Sequence, residues 1–182
     1  IIFVSSDLIS FIFGKQYVIH FSIPAILAIN FYMLGMQNIV GIYKSTMGLF
    51  KYGQYILLIT AILNLIGDFI LGYKFGIFGV FLATAIARLM TNTFYEPYII
   101  YKYGFNIRFK NYVITYIIYA VLMVISSIFM CFLCKIINVN LFINILLKLI
   151  LCVTIHTSLI VLIYHQTDEY KYVVSILYMI LK

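Results

Sequence analysis

The side chains of this chain that could do chemistry are few, and they sit where a long apolar run would otherwise carry leucine or isoleucine. With each residue placed 100° around a helix, Thr84, Arg88, Thr91, Asn92 and Tyr95 fall within an arc of about 100°. Leu82, Ile86, Leu89 and Thr93 take the opposite side. Thr60, Asn64, Gly67 and Asp68 share a similar arc one segment earlier, and Asn30, Gln37, Asn38, Gly41 and Ser45 another. Such stripes either bind a ligand or pack helix against helix, each packing contact being worth only ~0.6–2 kcal/mol. Catalytic patterns are missing. His20, His156 and His165 are scattered and have no acidic cluster beside them, so they suit neither a metal site nor a nucleophile–base pair. Cys131 and Cys134 form a C-x-x-C within an apolar run, with no second pair to complete a zinc site, and Cys152 is likewise apolar in context. No metal and no cofactor is expected.

The elements that must position these residues follow from the composition. Of 182 residues, 65% are hydrophobic and 9% charged, with a mean hydropathy of +1.13. Soluble domains are roughly 45–50% apolar and about 25% charged, so this chain requires lipid as its solvent. A spanning helix needs ~20 mostly apolar residues, and five segments supply them: 21–43, 53–72, 77–100, 112–134 and 141–163. The expected fold is therefore an all-α, polytopic membrane helix bundle. Residues 1–20 read as the end of a preceding span and its loop, so the chain resembles the C-terminal piece of something longer. Residues 164–182 read as an interfacial tail whose last apolar run is too short to span.

The net charge of +7 would suggest nucleic acid in a soluble protein. Here the cations stand mostly between apolar runs, where they set orientation and no nucleic-acid partner is implied. Lys44, Lys51, Lys102, Arg108, Lys110, Lys171 and Lys182 fall on one side, against Lys15, Lys74 and Lys135 on the other. This imbalance predicts a cytoplasmic C-terminus in the cell (cytoplasmic) membrane. Tyrosines crowd the span ends, as an aromatic belt at the headgroups should.

Arg88 is the exception among the cations. Near the middle of its span, a lone charge costs at least ~2.5–3.5 kcal/mol, which makes it a pathway or ligand contact by default. At 1.5 Å per residue, Asp68 lies ~6 Å below the cation-poor side and Arg88 ~16 Å, so a direct pair would need a tilt or a broken helix. Lys148, ~10 Å deep by the same measure, matches Asp68 better, although it could also snorkel to the surface. Glu96-Pro97, near the opposite end of span 77–100, reads as a bend at a helix end.

Three stretches resemble the Wzx-type polysaccharide flippases of the multidrug/oligosaccharidyl-lipid/polysaccharide flippase superfamily. They are Gly41–Lys44 with Met47–Lys51; Asn64, Asp68 and Leu71 followed by Lys74, Gly76, Ile77, Gly79, Ala83 and Thr84; and the run from Phe94-Tyr95-Glu96-Pro97-Tyr98 to Tyr101-Lys102. The family's third motif has Trp where this chain has Phe94. The resemblance implies part of the second lobe of a two-lobe transporter. It implies that a polyprenyl-diphosphate-linked oligosaccharide is carried across the membrane by alternating access, for surface polysaccharide assembly. Arg88 would then hold phosphate oxygens in a forked contact. Asn92, Asn64, Asn30 and Gln37 would offer hydrogen bonds to sugar hydroxyls, with Thr84, Asp68 and Lys148 lining the same cavity. The implied partners are the lipid-linked substrate, membrane lipid, the N-terminal lobe of the same protein and the polysaccharide polymerase machinery.

Within the superfamily, a multidrug or cation exporter and a lipid II flippase remain alternatives. The exporter would favour acidic cavity groups, of which only Asp68 is well placed. A membrane glycosyltransferase or ligase is disfavoured, because such enzymes need acidic or histidine clusters in sizeable aqueous loops, and the 101–111 loop has no carboxylate. A transporter and not an enzyme is expected.

Overall fold

The computed structural model of the chain describes residues 2–136 and 140–180. Lys182, one of the cations counted toward the orientation, lies outside the described residues, as do residues 137–139. Among the described residues the chain is all-α, 88% helical and without strands, and four to five helices are long and apolar enough to cross a membrane. It is a multi-pass membrane helix bundle.

The helices are α1 (Ile2–Ile12), α2 (Ser22–Thr46), α3 (Ile56–Met90), α4 (Asn92–Ile99), α5 (Lys110–Ile136), α6 (Leu141–Tyr164) and α7 (Asp168–Ile180). A π-helical turn, Ile100–Phe105, extends α4. The chain divides into two units, 1–123 and 124–182, with α5 shared between them.

α2 tolerates Pro24 because the ring sits in the first turn, where backbone N–H groups have no intrahelical acceptor to lose. It runs past Tyr43 to Thr46, so Lys44 belongs to the helix and not to the loop after it. Gly48 stops it in the left-handed conformation (φ 67°), which glycine adopts without the penalty of a Cβ.

α3 holds two of the expected spans in one helical stretch broken at Gly76, whose φ of 60° and ψ of −141° turn the chain back on itself. The arms 56–75 and 77–90 then pack antiparallel at backbone contact. A Cβ added to Gly79 would fall on the carbonyl oxygen of Leu71, one at Gly67 would lie 2.9 Å from the Ala83 Cβ, and one at Gly72 would lie 3.2 Å from Val80 Cγ2. Small residues are what allow two membrane helices to approach this closely. The expected span 77–100 is not a single helix: it is interrupted at Thr91 (φ −116°, ψ −84°), after which α4 begins.

α2 lies alongside the second arm. Ile26, Met33 and Ala85 form one buried cluster with Phe78, Phe81 and Leu82 around them. Val40, Ile100, Tyr112 and Tyr116 form another, which ties α2 and the π turn to α5. Tyr32 borders both clusters, and its hydroxyl donates to the Tyr116 carbonyl at 2.6 Å. In the second unit, Ser126, Met130 and Ile145 are buried, and Ser126 Oγ is 3.1 Å from His156 Nε2. α7 is a 13-residue helix, too short to span.

The backbone contact at Gly79 yields a direct test. Gly79→Val is expected to destabilise the protein by at least about 1–3 kcal/mol, because the added side chain meets backbone that cannot yield. Gly35→Val, at a position with nothing within 4 Å, should leave stability unchanged. Thermal unfolding in detergent micelles measures both.

Candidate functional site

The hairpin of α3 fixes which polar residues stand level. Gly67 faces Ala83 and Gly72 faces Val80, while Thr60 meets Thr91 and Asn92. This register sets Asp68 level with Thr84, and Asn64 level with Arg88. The depth difference that the spans implied between Asp68 and Arg88 is therefore smaller, because the two arms close at Gly76 without an intervening loop. α2 runs parallel to the second arm, with Asn30 on Phe81 and Lys44 on Glu96, so Gln37 also comes level with Arg88.

At these positions the side chains behave differently. Asn92 is 4% exposed and Thr91 3%. The Thr60 hydroxyl oxygen lies 2.8 Å from Thr91 Oγ1, 3.2 Å from Asn92 Oδ1 and 2.7 Å from the Ile56 carbonyl oxygen. The Thr91 hydroxyl in turn donates to the Ala87 carbonyl at 2.6 Å. This cluster seals the helix break, since irregular backbone at membrane depth has to be covered by protein. Asn92 thus commits its Oδ1 to helix packing. Asn30 does so in part: its amide donates to the carbonyls of Ile26 (3.1 Å) and Phe81 (2.9 Å), while its Oδ1 is buried without a partner. Thr84 donates back to the Val80 carbonyl within its own helix, at 3.2 Å.

Asn64 and Asp68, one turn apart on the first arm, each bury an Oδ1 atom that accepts no hydrogen bond among the described residues. Two shielded oxygens without donors can accept hydroxyl or guanidinium protons from a bound group, or hold a hard cation. Arg88 is half-buried and, among the described residues, its guanidinium has neither a hydrogen bond nor an ion pair, while its carbonyl accepts from Thr91 N–H at 3.3 Å. The hairpin therefore aligns Asn64, Asp68, Thr84 and Arg88. Lys148, on α6, belongs to the second unit and is 9% exposed.

A second feature was not expected from the sequence. Lys44 Nζ and Glu96 Oε1 form an ion pair at 3.1 Å, with side chains 14% and 8% exposed. Glu96 forms one wall of a groove of ≈ 740 Å³ whose α2 side carries Gln37, Asn38, Gly41, Ser45 and Thr46. Glu96-Pro97 is therefore not simply a bend at a helix end: it sits inside α4 and neutralises a cation from α2. Fifty-two residues separate the partners, so no local pattern announces the pair. The readable signal was a lone carboxylate within an apolar segment, which demands a cation nearby.

A scan against protein-family models finds no match for the chain. Searches of curated proteins and of solved structures likewise return nothing similar.

Because the Lys44–Glu96 pair is shielded, removing one partner strands the other charge. Lys44→Met and Glu96→Met are each expected to cost about 3–5 kcal/mol of stability. Lys44→Met combined with Glu96→Met should recover most of that loss. A double-mutant cycle on thermal unfolding in micelles reads the coupling.

Proposed function

We propose that the protein is a transporter lobe that moves a polyprenyl-diphosphate-linked oligosaccharide across the cytoplasmic membrane by alternating access, for surface polysaccharide assembly. The observation that carries this reading is Arg88, a permanently charged, half-buried guanidinium inside an apolar helical hairpin, without a carboxylate partner among the described residues. A charge left unneutralised at membrane depth is costly, and an anionic ligand offsets that cost. The diphosphate supplies such an anion, and the guanidinium fork matches its oxygens. Asn64, Asp68 and Gln37, level with or one turn from Arg88, supply acceptors and amide donors for sugar hydroxyls. The resemblance of the three motifs to polysaccharide flippases supports the same assignment. In this reading the cation-rich ends of the helices face the cytoplasm, the C-terminus is cytoplasmic, a further lobe completes the transporter, and no bond is made or broken.

A multidrug or cation exporter of the same superfamily is the second reading. It is favoured by the buried Asp68 oxygen that accepts no hydrogen bond, since a carboxylate in that position attracts a cationic drug.

Complementation of a flippase-deficient strain separates the two. Arg88→Ala at equal expression is expected to reduce surface polysaccharide at least about tenfold, equivalent to 1.4 kcal/mol of lost ligand interaction. Arg88→Lys should retain part of the activity. Normal polysaccharide from Arg88→Ala, together with drug sensitivity in Asp68→Asn, would favour the exporter.

A further inference from the structure

The π-helical turn 100–105 and the start of α5 enclose a second pocket, of ≈ 330 Å³, whose lining includes Tyr98, Tyr101, Lys102, Asn106, Arg108 and Phe109. Asn106 closes the turn in the left-handed conformation (φ 54°), and Ile107 N–H donates to the Tyr101 carbonyl at 3.1 Å, so the backbone fixes the turn that carries the lining residues. Lys102 Nζ is held over two aromatic faces, 5.4 Å from the Tyr98 ring centre and 5.2 Å from that of Tyr103. Tyr103 is stacked on Tyr52 at 4.3 Å. This cation is thereby positioned instead of swinging freely in solvent. Arg108 lines the same pocket and, among the described residues, its guanidinium has no ion pair or hydrogen bond, only its carbonyl accepting from Asn111 N–H at 3.2 Å. None of the lining residues is acidic, and the nearest carboxylate along the chain, Glu96, is already committed to Lys44. The 27-residue helix α5 begins just after Arg108 and Phe109, which adds the positive end of its dipole to the same spot.

We infer that this pocket is a binding site for a phosphate oxyanion, held between Lys102 and Arg108. Its setting favours phosphate borne on a lipid. The tyrosines mark headgroup depth, Ile107 at the rim is 53% exposed, and basic pockets between spans at such a depth are suited to anionic headgroups. This inference is independent of the role given to Arg88.

The test uses the full-length protein in detergent micelles, with native mass spectrometry reading bound dioctanoyl-phosphatidylglycerol. Lys102→Gln combined with Arg108→Gln is expected to weaken binding about tenfold, the loss of two charge-assisted contacts. Lys102→Arg should bind as the parent does. Removing two cations outside the pocket, by Lys51→Gln with Lys110→Gln, should change binding much less. Equal losses from the two double variants, or no loss from the pocket variant, would overturn the site in favour of general surface charge. Competition with inorganic phosphate identifies the source: displacement of the lipid by free phosphate points to a soluble ligand, and resistance to it points to the lipid headgroup. Either result supports an oxyanion site.

Discussion

The contact between Gly79 and the Leu71 carbonyl sets the arrangement on which the rest of the first unit depends. In hydrocarbon no hydrophobic force drives helices together, so close van der Waals approach between small residues has to do that work. Once the arms of α3 meet at backbone distance, their register leaves little freedom. Thr60 is brought to Thr91, and Asn64, Asp68, Thr84 and Arg88 line up along the same pair of arms. A larger residue at position 79 would separate the arms and disperse these side chains without altering any of them.

A second constraint explains how the polar residues divide. Lipid offers no water to satisfy a backbone group, so the interruption at Thr91 has to be covered from within. Thr60, Thr91 and Asn92 serve that purpose. Further along, Lys44 and Glu96 neutralise each other at the groove that α2 shares with α4. Once those groups are accounted for, the remainder in the first unit is small and uneven: among the described residues, the Arg88 guanidinium has no anion, and the Oδ1 atoms of Asn30, Asn64 and Asp68 have no donors. Polar atoms left over in a bundle that otherwise matches its polar groups carefully are the ones available to something other than the protein.

The sequence made the helices readable, because the spans rest on length and hydropathy, which are local quantities. The turn between the second and third spans was readable too, since Gly76 stands between apolar runs. What escaped were features that depend on which helices become neighbours. Lys44 reads as a loop cation until α2 is seen to run one turn further, and Glu96 reads as part of a bend at a helix end until α4 is packed on α2. Asn92 shares a stripe with Arg88, yet the break at Thr91 turns it into the packing between the arms. Periodicity alone places both residues on one face and cannot anticipate a break that lies between them.

If Arg88 meets an anionic ligand as proposed, it occupies a polar interior while the opposite face of the same helix meets lipid. Ile86 and Leu89, 41% and 46% exposed, lie on that opposite face. The direct measurement is labelling of single cysteines by a membrane-impermeant, water-soluble thiol reagent, in a background where Cys131, Cys134 and Cys152 are replaced by serine. Arg88→Cys and Gln37→Cys are expected to react, whereas Ile86→Cys and Leu89→Cys stay unmodified. Equal protection of all four positions, or reaction confined to Ile86→Cys and Leu89→Cys, would contradict it.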